Sequence, residues 1–509
     1  MTTTAPTAAP PAAPTPSPSS APAASTNTGL MADTYGWDTV FAIRADDVNA
    51  AIKNLATSPK TFSASTTDPH TQATIQVSGT FSDWAITLGG SGKLLHMSTP
   101  VTSLVAAGTV NGQPVTFTYG AGSLEIEVEL EYVPHTDPPP PGATGTFHKL
   151  IVKATPPAPQ QQVVTVLGGY GFGNSTDPQH LPFASVSDDV IAAMQTWFNA
   201  NLGDFEHVFA TVNLGRDADQ GQFAWLLPTY SSYAYIDGAT LDTSILGILC
   251  MTGGRDGTGL DQEVSPNAIP GGSRAGFLIA PERFVNEMLW PSMPLVYSGA
   301  ATTDFTPRSD GTGLTLASGP VSIKDMVDSS GAPHTTVLQN FELSTADATL
   351  TIDATTQTEV SPGIQAFTHN VASYTMELHK TSPTVQTIYY VQSGKVTTEH
   401  WTEESEGVKL TKIFEGIAAA LITVAVGVLT DGAGFVIAAA VLGVLAGVAS
   451  KVPDIIADAN TDAAPSVSLL AFNAVDPLQW SDQKDFTLDQ VALNYSLQMG
   501  GTPHFGGGS

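Results

Sequence analysis

The chain has 509 residues, with 47 acidic residues against 18 basic ones and a formal net charge of -29; only 13% of residues are charged, while 42% are hydrophobic. That balance argues against nucleic-acid binding through clustered Lys and Arg, and against simple electrostatic docking on anionic lipid head groups. It is also too apolar for a disordered acidic chain, and its 47 Gly and 36 Pro favour many short strands joined by turns.

Residues 1–30 are almost entirely Pro, Ala, Thr and Ser and carry no charge, so residues 1–32 are expected to be an extended, disordered tail. They lack the basic start and apolar stretch of a secretory signal. The expected location is the cytoplasm with non-classical release, or outside the cell by a leaderless route. The folded unit is expected over residues 33–505. Residues 506–509, Gly506 to Ser509, read as an appended linker.

Asp46 to Leu55 predicts a helix, with Asp46 or Asp47 serving its N-terminus and Val48, Ile52 and Leu55 on one face. Trp84, Ile86 and Leu88 then alternate with small or polar residues, as in a strand. Gly89-Gly90-Ser91-Gly92-Lys93 fails as a phosphate loop, because position 87 is not Gly and Leu94 offers no hydroxyl for magnesium. Asn111-Gly112 is a hairpin turn signal. Leu124, Ile126, Val128, Leu130 and Tyr132 alternate with Glu125, Glu127, Glu129 and Glu131. Period 2 places all four carboxylates on one sheet face. They read as a solvated face rather than a catalytic cluster, since the run holds no partner base.

Pro138 to Pro141 and Pro156-Pro157 break the chain. Val163 to Leu167 predicts a strand, and Gly168 to Gly173 a flexible loop with the wrong spacing for a dinucleotide. Ser187-Asp188-Asp189 predicts a capped helix carrying Val190, Ile191, Met194, Trp197 and Phe198. Val208–Leu214 and the stretch with Tyr230, Tyr233 and Tyr235 predict strands. Cys250, the only cysteine, lies among apolar neighbours and reads as a buried core thiol. Residues 252–272 predict a Gly-rich polar loop, and its Gly253 to Gly259 part lacks the acids of a calcium loop. Ser273 to Leu289 predicts a third helix, with Pro281 at a first turn or kink. Short strands are expected over 311–400, 466–472 and 486–498.

Residues 416–430 and 432–450 are uncharged and mostly Ala, Val, Leu, Ile and Gly, with Thr430 to Gly434 as a turn between them. Each arm of about 18 residues would be about 27 Å long, close to the thickness of a bilayer core. The expectation is a C-terminal apolar helical hairpin over 412–457, with Lys409, Lys412 and Lys451 at its open end. Ala439, Gly443 and Gly447 would let its arms touch closely. Candidate lipid or membrane contacts are Ile417, Leu421, Val424, Val428, Asp431, Phe435, Val436, Leu442 and Leu445. Insertion would be acid-assisted, because neutral Asp431 and Glu415 are cheaper to bury than ionised ones. The alternative is that both arms pack against the sheet inside the protein. No nucleophile, metal cluster or acid pair on which to base a reaction is legible, so neither an enzyme nor a cofactor is expected.

Two stretches carry a resemblance. Thr34-Tyr35-Gly36-Trp37-Asp38-Thr39-Val40-Phe41 opens the folded part, and Phe277-Leu278-Ile279 through Phe284-Val285-Asn286-Glu287-Met288-Leu289-Trp290-Pro291 follows. Both resemble the clostridial P-47-like family, encoded in orfX-type clusters beside botulinum neurotoxin. The similarity runs from about Asp33 to Phe505. The resemblance implies the TULIP (tubular lipid-binding) fold: an α+β architecture in which an elongated, mostly antiparallel sheet wraps around long helices. It implies a non-enzymatic lipid- or membrane-binding accessory protein of a bacterial toxin system. Its expected partners are a lipid or hydrophobic ligand and other toxin-cluster proteins. The alternatives are a membrane-inserting toxin component and a scaffold subunit. The motif residues Tyr35, Gly36, Trp37, Asp38, Phe41, Phe277, Phe284, Leu289 and Pro291 are expected to be structural, with Gly36 bending the chain and Trp37 and Phe41 packing into the core.

Overall fold

The chain divides into Met1–Leu30 and Met31–Ser509, and the computed structural model describes the second part. The described residues are 31–503, apart from 68–73, 111–112, 135–147, 154–161, 209–212, 215–224, 227, 329, 346–347, 383–384, 410–411, 413–477 and 480–485. Apart from residue 412, the expected hairpin over 412–457 and its nine candidate contact residues lie outside the described residues, as do the strand at 466–472 and residues 1–30 of the tail expected over 1–32. Ala32, expected in that tail, is instead buried, and its amide donates to the Asn494 carbonyl.

Among the described residues the strands form two antiparallel sheets, of sixteen and seven strands. The first sheet opens with β1 (Thr39–Arg44), β2 (Thr61–Thr67), β3 (Thr74–Phe81), β4 (Ala85–Gly92), β5 (Leu94–Val110), β6 (Gln113–Tyr119) and β7 (Gly122–Pro134). It continues with β8 (His148–Val152), β9 (Val164–Tyr170), β10 (Asn213–Leu214), β11 (Pro228–Ile236), β12 (Ile245–Thr252) and β13 (Ala275–Ile279). The second sheet holds β14 (Phe305–Pro307), β15 (Gly313–Leu316), β16 (Val321–Val327), β17 (Pro333–Ser344), β18 (Leu350–Ser361), β19 (Ile364–Ser382) and β20 (Val385–Glu404). Then β21 (Leu478–Gln479), β22 (Phe486–Asn494) and β23 (Ser496–Pro503) return to the first. β5 and β6 pair with Val110 opposite Gln113, and Asn111-Gly112, expected as the turn, lies outside the described residues.

The helices are α1 (Ala45–Leu55), α2 (Ser187–Ala200) and α3 (Leu202–Val208), followed by α4 (Pro281–Phe284), a π-turn (Val285–Leu289) and α5 (Trp290–Val296) in one continuous run. Among the described residues the longest single helix, α2, has 14 residues. This corrects the expected α+β fold: no long helix stands among the described residues for a sheet to wrap around, and the architecture is mostly antiparallel β. None of these helices is long and apolar enough to cross a membrane. α1 and α2 lie where the periodicity placed them, burying Val48, Ile52, Val190, Met194, Trp197 and Phe198.

Three local expectations also fail. The third helix was expected from Ser273, but Ala275–Ile279 is strand β13, hydrogen-bonded between β1 and β23. All five of its residues are buried, and a strand covered on both faces shows a continuous apolar run that periodicity cannot tell from a helix. The helix begins only at Pro281, whose ring holds Ala280 extended (φ -54, ψ 146). In the stretch expected as strand over Val208–Leu214, α3 runs to Val208, Asn213–Leu214 is strand, and 209–212 lie outside the described residues. Gly168 and Gly169, expected in a loop, belong to β9 and pair with β7.

β12, β1 and β13 lie side by side, with Phe41 opposite both Ile248 and Phe277. Phe41, Ile43, Phe277, Ile279 and Ile248 face the main core, while Val40, Ala42, Leu249 and Leu278 face a second core with Trp37. Val264, Ala268 and Ile269 from the loop after β12 close that second face. The loop lies so near that a Cβ on Gly276 would meet the Ala268 carbonyl oxygen at 2.0 Å, and one on Gly247 would meet Val264 Cγ2 at 2.7 Å. Cys250, in β12, is buried as expected, and burial pushes its thiol up to about 12.

In the main core Trp84, fully buried, meets Phe81, Phe198 and Phe205 edge-on at centroid distances of 5.3, 5.7 and 5.0 Å. Tyr297, Phe305 and Phe341 form a similar cluster, with Phe305 and Phe341 on the second sheet.

In the second sheet, His334 Nε2 lies 3.0 Å from Asp328 Oδ2, and its Nδ1 lies 3.0 Å from the Glu359 carbonyl oxygen. Both ring nitrogens face acceptors, so only the imidazolium satisfies both. Burial opposes that charge, but Asp328 and the Glu359 carbonyl outweigh it and raise the His334 pKa above its ordinary 6.5. Hydrogen bonds from Ser330, His334 and the Ala332 amide hold Asp328 well below the usual carboxylate range.

Two tests follow from this packing. Gly276→Ala should cost about 1–3 kcal/mol in urea unfolding through overpacking. Gly120→Ala, where a Cβ meets nothing within 4 Å, should change stability by less than about 0.5 kcal/mol. Replacing His334 by Gln should lower the thermal midpoint most between about pH 4.5 and 6.5. The raised histidine stabilises below 6.5 and loses its effect as pH rises through its folded value, while the depressed aspartate stabilises above 3.8 and fails as pH falls. A midpoint gap that stayed constant from about pH 5 to pH 9 would refute this.

Candidate functional site

The two stretches that carry the resemblance are far apart in sequence and adjacent in the fold. β1 pairs with β13, Thr39 standing opposite Ile279, and the Ala280 amide donates to the Asp38 carbonyl at 2.9 Å. The opening motif therefore ends where the second motif's helix begins.

At Tyr35-Gly36 the chain turns sharply. Tyr35 has φ 51 and Gly36 φ 87, and the Trp37 amide donates to the Thr34 carbonyl at 3.0 Å. Positive φ at both central residues is what glycine tolerates and tyrosine resists. The turn aims Trp37 into the second core, where its Nε1 donates to the Asp261 carbonyl at 3.0 Å and its ring stacks on Tyr230. Tyr35 remains exposed.

Asp38 is buried. Its Oδ2 accepts from the Thr252 amide at 2.8 Å and the Thr252 hydroxyl at 3.1 Å, and its Oδ1 lies 3.1 Å from Arg255 Nη1. The other end of Arg255 reaches Glu282 Oε2 at 3.4 Å. One guanidinium thus links the opening motif, the loop after β12 and the first turn of α4. This network gives the buried carboxylate three donors and ties the three segments together.

One residue further, Arg283 is almost fully buried. It pairs with Glu287 at 3.1 Å, donates to the Trp225 carbonyl at 3.3 Å and lies over the Trp225 ring, 5.6 Å from its centroid. Cation–π stacking on a partly buried Trp is favourable by about 1 kcal/mol. Arg283 Nε, Trp225 Nε1 and Asn286 Oδ1 are buried without a hydrogen-bond partner among the described residues. Among the described residues no group of three or more His, Cys, Asp or Glu is set to hold a metal ion.

The remaining motif residues are core. Phe41, Phe277, Phe284 and Leu289 are all buried in the main cluster. Pro291 is the second residue of α5, after Trp290, which follows the π-turn. Lacking an N–H, Pro291 leaves the carbonyl four residues back without its helical partner, which fits a widened turn there. Arg255, Glu282, Arg283 and Trp225 were missed as site residues by sequence reasoning. The available signal was scarcity: a chain with 18 basic residues against 47 acidic ones has few to spare for buried positions.

The four glutamates of β7 do share one face, as period 2 requires. Cross-strand partners modify the expected solvated face: Glu127 pairs with His96 at 3.0 Å, Glu129 with Lys153 at 2.9 Å, and Glu125 accepts from Thr87 at 3.4 Å.

Residues 34–501 match the family model described as OrfX-like: Protein OrfX2/OrfX3/P47. The chain is 31% identical over 493 residues to protein OrfX3 of Paraclostridium bifermentans, covering 92% of this chain and 98% of that protein. It is 29% identical to protein OrfX3 of Clostridium botulinum (strain Kyoto / Type A2), covering 93% and 99%. Its fold is similar to that of P47 from Clostridium botulinum A2, with a TM-score of 0.64, 14% identity, and coverage of 93% of this chain and 98% of that one. P47 of Clostridium botulinum E1 is similar at a TM-score of 0.59 and 13% identity, covering 92% and 100%.

Replacing Asp38 by Ala strands the Thr252 donors and one side of Arg255, and should cost about 3 kcal/mol in denaturant unfolding. Glu282→Gln, at the exposed end of the network, should cost less than about 1 kcal/mol. Equal losses from the two variants would show that Asp38 is not the anchor.

Proposed function

The chain belongs to the OrfX-like family of OrfX2, OrfX3 and P47 proteins, and from that premise we propose that it is a non-enzymatic accessory or component protein of a bacterial toxin system, acting by binding. The observation that carries this reading is the end-to-end match to two OrfX3 proteins, with 98% and 99% of their lengths covered. A shared architecture over the whole length supports a shared kind of task. The polar clusters are consistent with it: Asp38, Arg255 and Glu282 are engaged with one another, and Arg283 with Glu287 and Trp225.

A second reading is contact with lipid or a membrane through residues 412–451, favoured by the uncharged runs 416–430 and 432–450. Ile417, Leu421, Val424, Val428, Phe435, Val436, Leu442 and Leu445 would supply the contacts, and neutralisation of Asp431 would ease them. Deleting 412–451 should abolish liposome leakage at acidic pH under this reading; equal leakage from both proteins defeats it.

For the main reading, the tagged chain co-expressed with the products of its neighbouring genes should retain at least one of them through size-exclusion chromatography. Retention of none overturns it.

A further inference from the structure

Tyr170, Leu94 and Leu167 are 56%, 41% and 40% exposed, and all three lie on strands flanking β7. On β5, Leu94 stands opposite Glu129 and His96 opposite Glu127. On β9, Thr165 stands opposite Glu127 and Gly168 opposite Glu125, with Leu167 at the register shift beside it. A Cβ on Gly168 would meet the Tyr170 hydroxyl at 2.7 Å, so the Tyr170 ring folds over Gly168 on the glutamate side. Val164, Val166, Leu95 and Met97 point the other way, into the core. The outer face of β5, β7 and β9 is therefore a central row of half-buried carboxylates, each held by a neighbouring side chain, with exposed apolar side chains on either side.

Charge decides what fits. Along β7 the face carries Glu125, Glu127, Glu129 and Glu131, with Lys153 bonded to Glu129, Lys149 at the register position opposite Val133, and His96 as the titratable neighbour. With a net charge of -29, a second copy of this chain is repelled, as is an anionic bilayer. Alternate residues on a strand are about 6.8 Å apart, and residues four apart on a helix rise about 6.0 Å. A helix laid along β7 thus presents Lys or Arg at i, i+4 and i+8 over the three glutamates. Its flanking Leu or Met side chains meet Leu94 on one side and Leu167 and Tyr170 on the other.

We propose that the outer face of β5, β7 and β9 is a docking surface for a basic amphipathic helix of a partner protein. This rests on the reading of the chain as a binding component and names the class of partner.

The test uses the full chain and a synthetic helical peptide with Lys at i, i+4 and i+8 flanked by Leu, titrated by fluorescence anisotropy near physiological salt. Glu125→Gln/Glu127→Gln/Glu129→Gln should weaken binding at least about tenfold, as loss of several charge contacts does. Leu94→Ser/Leu167→Ser, which leaves the carboxylates and their partners in place, should weaken it by a similar factor. Glu399→Gln/Glu403→Gln/Glu404→Gln on β20 makes the same change in net charge elsewhere and should leave binding within about twofold. Equal loss in the β20 variant shows unspecific attraction and overturns the proposal, as does full binding by the Leu variant or no binding by the unaltered chain. Retention of a neighbouring gene product without peptide binding overturns the docking face alone; loss of that retention overturns the reading beneath it.

Discussion

Three strands, β12, β1 and β13, are buried on both faces, and the rest of the first sheet is arranged around that demand. A sheet covered on one face by the main core still exposes Val40, Ala42, Leu249 and Leu278 on the other. In this chain a loop covers them. A loop packed on a sheet must satisfy its own backbone and approach closely. Gly276 and Gly247 leave room for it, and Gln498 donates to the carbonyls of Asn267 and Ala268. Trp37 Nε1 and the Asp38–Arg255 pair hold the near end.

The helix that follows β13 is the second structural decision. It starts at Pro281, passes through a π-turn and carries Pro291 and Pro294 in its last segment. Trp290 Nε1 donates to both the Thr302 and Phe305 carbonyls at 2.9 Å, so the helix is tied to β14 of the second sheet. Tyr297, just past its end, completes the aromatic cluster with Phe305 and Phe341. A helix this short has little intrinsic stability. Its buried Phe284, Val285, Met288, Leu289 and Met293 hold it in place.

Much of the local structure was legible. The helices at Ala45–Leu55 and Ser187–Ala200 follow from 3.6-residue periodicity, and β7 from strict alternation of Glu with apolar residues. The expected helix at Ser273 failed because Ala275–Ile279 is apolar throughout, a pattern shared by buried helices and doubly covered strands. The assignment of Gly168 and Gly169 to a loop failed because glycine composition carries no information about a neighbouring strand. In β9 they pair with β7, and Tyr170 and Phe183 occupy the space where their side chains would be.

By itself the sequence determined the class of surface and the kinds of elements: acidic and strand-rich, with single-faced strands where apolar and polar residues alternate. It also held the two motifs that point to the family. Only the tertiary structure decided that those motifs are neighbours, that Asp38 reaches Arg255 and Glu282, and that Leu94, Leu167 and Tyr170 share a face with Glu125, Glu127 and Glu129. Periodicity reports which side of an element is apolar, because that depends on local geometry alone. Which elements meet depends on strand order and on what covers each face, and those are settled by contacts between residues hundreds of positions apart.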